Sequence, residues 1–199
     1  MTPELRAIID RFMYEQATVT HIVTSLPPGG IDRVMNQTGW TVRQLVAHFA
    51  DTQEGYASAI QRWLAGEPAI PGDLDTDRIN ALTAAANAET PLPELLTRLR
   101  KSLRTLFVAL HHVPDGKLGE PFDGHSAIET FHEWERHYRA HAFDLLDVAP
   151  EVKFEPLVLN WILYAEFEDD GHRARQRALM EEVREHYAAV PGEETGEDS

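Results

Sequence analysis

Apolar residues recur at three- and four-residue intervals in four separate stretches of this chain, and no stretch shows sustained period-two alternation between turn signals. Only helices packed on helices can bury such a pattern. The plainest row is Leu92, Leu95, Leu99, Leu103, Leu106 and Leu110, a heptad-like helix running from about Leu92 to Val113 and stopped by Pro114-Asp-Gly116. Near the start, Leu5, Ile8, Phe12, Val19, Ile22 and Leu26 form a second seam, interrupted at Glu15 and ended by Pro27-Pro28-Gly29-Gly30. A third holds Val42, Leu45, Phe49, Tyr56, Ile60 and Trp63, and a fourth Ile128, Phe131, Trp134, Tyr138, Ala142 and Leu145. Two of these helices announce their first residue. Thr41 with Gln44, and Ser126 with Glu129, have the spacing of capping boxes, and Trp40 is placed to staple onto Leu45.

The connections set the topology. Residues 66–89 carry Gly-Glu-Pro, Pro-Gly-Asp and the Ala-rich run Ala81 to Ala88, which reads as a long crossover containing a short helix. Beyond Pro150 a fifth helix is predicted to open at Pro156, apolar nearly all round to Leu163 and then amphipathic, with Gly171 bending or weakening it. The expected fold is all-α: a four-helix bundle with a long crossover between helices two and three and an extra C-terminal helix. A chain of 199 residues, 43% hydrophobic, suits one core, so residues 1–190 are read as a single domain. The tail Pro191 to Ser199 is acidic, has no apolar residue, and is expected to be disordered.

Composition narrows the chemistry. There is no cysteine, so disulfides, Cys-ligated zinc and iron–sulfur clusters are excluded, and any thiol must come from outside. A net charge of −15 would repel a phosphate backbone, which excludes a nucleic-acid partner. Charged residues from Glu4 and Arg6 onward leave no signal-peptide core, and no stretch suits a membrane span, so the expected location is the cytoplasm. No Gly-x-Ser-x-Gly elbow or phosphate loop is present. His132-Glu133 is not a zincin motif, because position 136 is Arg.

What remains is histidine. His137 and His141 stand one turn apart on one helix face, about 6 Å apart at Cβ, so they can chelate one ion. His48, on the second helix, lies on the same flank of its own apolar seam and could supply a third imidazole, giving the open three-ligand arrangement of a catalytic zinc. With ten histidines in the chain an accidental pair is equally consistent with the spacing, each ring being then a boundary residue with an ordinary hydrogen bond. Glu133, one turn before His137, is either a ligand in place of His141, an acid/base residue beside the ion, or a solvated surface charge. Asp51 and Asp144, three residues after His48 and His141, are placed to orient the rings from behind, and each is also readable as a solvated helix charge. Glu166, Asp169, Asp170 and His172 group ligand types at spacings that match no site and read better as a charged helix face.

The segment Gly39-Trp40-Thr41-Val42-Arg43-Gln44-Leu45-Val46-Ala47-His48, together with His137-x-x-x-His141, resembles the DinB/YfiT-like metalloenzyme superfamily, which includes the N-terminal domain of mycothiol-dependent maleylpyruvate isomerase. The likeness spans roughly residues 1 to 148. It implies a four-helix bundle holding zinc or nickel through three histidines, which fall here on His48, His137 and His141. The isomerase branch implies instead a glutamate and a histidine four residues later, which would be Glu133 and His137. The all-histidine set is the expected one because His141 sits nearer the buried seam. The C-terminal helix from Pro156 to Ala189 departs from the minimal bundle, and it would cover the site or form a homodimer surface. The resemblance further implies a metal-dependent transferase using a low-molecular-weight thiol on a small-molecule substrate. A metal-dependent hydrolase with Glu133 as its proton acceptor, or a noncatalytic metal- or ligand-binding bundle, are the alternatives.

Overall fold

The computed structural model describes residues 1–188, and the acidic tail expected over 191–199 lies outside them. The fold is all-α, with the four-helix bundle, long crossover and C-terminal addition expected from the sequence. Helix α1 (Pro3–Ser25) starts at Thr2, whose hydroxyl accepts from the Leu5 N–H at 3.2 Å. Its seam residues Leu5, Ile8, Phe12, Val19 and Ile22 are all buried. Helix α2 (Val42–Leu64) begins with the expected capping box, with the Thr41 N–H donating to Gln44 Oε1 at 2.8 Å and the Gln44 N–H to Thr41 Oγ1 at 3.3 Å. After Gly66, in the left-handed region at φ +81°, the chain crosses over through α3 (Thr76–Ala86). Helix α4 (Leu92–His111) then packs along α2.

Two expectations about continuity are corrected. The fourth bundle helix is not one rod but three pieces, α5 (Ala127–Glu135), α6 (His137–Ala140) and α7 (Ala142–Val148). At the joints the backbone tightens to three-residue hydrogen bonds, Arg136 N–H to Glu133 O at 3.1 Å and His141 N–H to Tyr138 O at 3.2 Å. Tertiary partners take carbonyls from the ladder near the second joint: His172 Nε2 lies 3.2 Å from Ala140 O, and Arg175 donates to Phe143 O at 3.2 Å. The expected fifth helix is likewise two, α8 (Pro156–Leu163) and α9 (Asp170–Ala188). The break falls at 164–169, before Gly171, because the Gln176 amide donates to the carbonyls of Ile162, Leu163 and Ala165 at 2.8, 3.1 and 2.9 Å and so caps the end of α8. A short antiparallel ribbon, β1 (Pro121–Phe122) with β2 (His125–Ser126), precedes α5 and turns on Asp123-Gly124, both at positive φ. Two-residue strands are too short to show alternation, though Asp-Gly is a hairpin-turn signal.

The core is one contiguous apolar cluster from α1 through α9, and Trp161, Tyr138, Phe12, Phe49, Phe122 and Phe131 are its largest fully buried side chains. Inside it lies a buried polar knot. Gln53 of α2 donates to Tyr138 Oη of α6 at 2.5 Å and to Gln16 Oε1 of α1 at 3.3 Å, and accepts from Ser102 Oγ of α4 at 2.6 Å. One residue from each bundle helix therefore meets at a single amide. Satisfied buried networks of this kind fix axial register, because a slip by one turn leaves several polar groups unpaired at once. Replacing Gln53 by Leu should cost about 2 kcal/mol in denaturant unfolding, since Tyr138 and Gln16 keep a long contact and Ser102 falls back on the Leu99 carbonyl. Thr41→Ala, which removes only the cap of α2, should cost about 1 kcal/mol.

Candidate metal centre

Three imidazoles converge where α2 meets the broken fourth helix. His48, His137 and His141 each offer a ring nitrogen, and these nitrogens all lie within 4.8 Å of one another. The ring centroids form a near-equilateral triangle of 5.0, 5.5 and 5.4 Å sides. His48 Nε2 and His137 Nε2 face each other at 2.8 Å, so one ring must donate and the other accept. The trio is walled by aromatic rings. Trp40 lies 5.1 Å from His48, and Phe49 sits edge-on to His137 and His141 at 6.0 and 5.6 Å.

The electrostatics favour a neutral ring at His48 and at His137. Burial pushes His48 down to about 4, with the neighbouring His141 adding to the effect and the Asn80 side chain of α3 pulling the other way. Burial likewise pushes His137 down to about 3, helped by its two histidine neighbours. Neutral imidazole is the form that ligates a metal. Behind the trio, His141 Nδ1 lies 3.2 Å from Asp144 Oδ2, and Asp144 is only 3% exposed. That contact places the proton on Nδ1 and leaves Nε2 with a free lone pair. Three imidazole nitrogen donors, one of them backed by a carboxylate, fit a divalent ion of the zinc or nickel type.

The other site residues read from the sequence divide. Glu133 is exposed and stands outside the histidine cluster, but lines a cavity of about 390 Å³ that His137 also lines. Asp51 does not back His48: its carboxylate is taken by Arg98 and by Thr83 of α3. The group read as a charged helix face is corrected in part. Glu166, Asp169 and His172 line the same cavity as His137, whereas Asp170 is exposed and pairs with Arg173 at 2.6 Å. The break between α8 and α9, which periodicity did not reveal, brings these residues round. Tyr56 and Trp134, read as seam residues, also line the cavity, stacked with centroids 4.1 Å apart and planes 4° from parallel. No hydrogen bond to the Tyr56 hydroxyl is present among the described residues, and burial, with the charge of Glu133 adding to it, raises its pKa well above the ordinary phenol value.

A pH dependence follows for the metal-free protein. His48 and His137 bind protons less readily folded than unfolded, so they stabilise the fold fully above about pH 6.5, and that contribution is lost as pH falls toward 4. Glu15 is wholly buried beneath Arg139 and Trp161, and burial raises it to about 7; its contribution has the opposite sign, present below 4.5 and lost as pH rises through 7. Between pH 6.5 and 5 the two oppose. Urea unfolding of metal-free Glu15→Gln should therefore lose stability on acidification more steeply than wild type, whatever its absolute stability.

Residues 13–146, more than half of the chain and including all three histidines, match the family model of the mycothiol maleylpyruvate isomerase N-terminal domain. Among solved structures, the crystal structure of a histidine-to-alanine mutant of mycothiol-dependent maleylpyruvate isomerase superposes with a TM-score of 0.59 at 16% identity, over 82% of this chain and 71% of that one. At that identity the likeness speaks to the fold. No curated protein matches the chain. No helix among the described residues is long and apolar enough to cross a membrane. With the bundle and the histidine cluster in place, the match over residues 13–146 makes this chain a member of the mycothiol maleylpyruvate isomerase N-terminal domain family, within the DinB/YfiT-like superfamily.

Proposed function

We propose that residues 1–190 form one domain that binds a divalent ion, zinc or nickel, through His48, His137 and His141, and that it acts as a cytoplasmic metal-dependent transferase using a low-molecular-weight thiol. The observation that carries this reading is the convergence of the three imidazole nitrogens. When bound, the ion would supply Lewis acidity, lowering the pKa of a thiol brought to its open position. The absence of cysteine from the chain is consistent with a thiol supplied as cosubstrate, and the related isomerase is named for its dependence on mycothiol.

The protein's own groups then have distinct tasks. Asp144 holds His141 in one tautomer and fixes the direction of its ring. Glu133, exposed on the cavity wall, is the proton acceptor for the thiol or for a water in its place. Tyr56 keeps its proton throughout the physiological range and is a neutral hydrogen-bond donor toward a substrate in the cavity. The Tyr56–Trp134 stack supplies a flat apolar wall against which a substrate can orient. A surface for a second copy of the chain is assigned to the α8–α9 addition, which lies outside the family match.

Elemental analysis of protein purified without an affinity tag should give close to one zinc or nickel per chain. His137→Ala should retain none after dialysis, and Asp144→Asn should bind the same ion about 10- to 100-fold more weakly. Excess zinc should raise the melting temperature of wild type and leave that of His137→Ala unchanged, because only binding to the native state stabilises it. Thiol consumption against a panel of electrophiles should vanish on complete chelation. Activity that survives chelation refutes the metal-dependent mechanism, and a melting temperature indifferent to zinc and nickel refutes the metal site itself.

A further inference from the structure

The cavity beside His137 has an asymmetric charge supply. Both guanidiniums on its wall are engaged, Arg139 Nε with Glu15 Oε1 at 2.6 Å and Arg136 Nη1 with Glu168 Oε1 at 2.6 Å. The Asp169 carboxylate is taken by His172. Two carboxylates are left over: Glu133 and Glu166 line the cavity with neither an ion pair nor a hydrogen bond among the described residues. The same wall includes aromatic rings, the Tyr56–Trp134 stack and Phe167, which stacks on His172 at 5.2 Å and 10°. An anion entering this space meets two unpaired like charges and finds no free guanidinium, whereas an ammonium meets two acceptors and ring faces that attract cations. The net charge of −15 adds a long-range field of the same sign.

Resting on the reading of the histidine cluster as a metal centre, which places the reacting end of the substrate, we infer that the cavity takes an amine-bearing compound with a flat apolar body and rejects carboxylate-bearing analogues of the same shape. Glu133 and Glu166 determine this specificity. The ion would hold the thiol on one side, and Glu166 would hold the substrate's cationic group on the other, with the charge of Glu133, the proton acceptor, favouring the same sign of substrate. The charge preference itself belongs to the cavity wall and exists without the ion.

Three compounds of one size and different charge test it: benzylammonium, benzyl alcohol and benzoate, titrated into metal-free full-length protein and followed by the indole N–H resonance of Trp134. Benzylammonium should bind at least about tenfold more tightly than benzoate, with the alcohol between them. In the double variant Glu133→Gln, Glu166→Gln, whose sites are exposed and not expected to disturb folding, the ratio should fall to about threefold or less. Equal binding, a preference for benzoate, no shift with any compound, or a ratio unchanged in the double variant overturns the assignment. Zinc content, measured separately on the same protein, decides the metal reading. An amine preference in a protein that binds no zinc or nickel leaves the specificity standing and removes the metal centre.

Discussion

Gln53 hydrogen-bonds to one residue from each of the other three bundle helices, and the arrangement of the candidate site depends on that knot. Tyr138, its partner on α6, directly follows His137 in the chain and packs its ring against Phe49 with centroids 4.4 Å apart. Phe49 in turn directly follows His48. The hydrogen bond that pins α2 against α6 thus lies close to the contact that brings His48 Nε2 to 2.8 Å from His137 Nε2. A hydrophobic seam alone tolerates sliding, since one leucine fits another's place at modest cost, but a buried amide with partners on three sides does not.

The broken fourth helix serves the same end. One turn wound with a three-residue hydrogen bond ends just before His137 and a second ends at His141, and the Ala140 carbonyl beside the second joint is held by His172 from α9. The C-terminal addition is therefore tied to the backbone next to a candidate ligand as well as lining the cavity. Beneath it, Glu15 binds Arg139 and Trp161, joining α1, α6 and α8 through a wholly buried carboxylate. Breaking such a pair by removing one partner strands a charge in the interior.

Much of this is legible in the sequence. The gaps in the apolar seams are where the polar interior sits: Gln53 fills the space between Phe49 and Tyr56, Glu15 and Gln16 the space between Phe12 and Val19, and Ser102 accompanies Leu103 in the leucine row. A polar residue at a seam position, flanked on both sides by buried apolar ones, is itself a signal of a buried network. Glu166, Asp169 and His172 gave no such signal, because their relevance comes from a helix end capped by Gln176, a residue distant from the break in helical periodicity terms and adjacent to it only in space.

Local chemistry written in the sequence determined the helices, their capping residues, the exclusion of cysteine chemistry and the identity of three candidate ligands, because periodicity and capping act within a few residues of each other. Tertiary structure decided whether His48 meets the other two rings, which carboxylate backs which histidine, where the long helices break and which charges line the cavity. These depend on the register between helices and on side chains that compete for the same backbone carbonyls. Asp51 and Asp144 show the difference. Each stands three residues after a candidate ligand, yet Arg98 and Thr83 claim the first, while the second is buried where its nearest partner is His141.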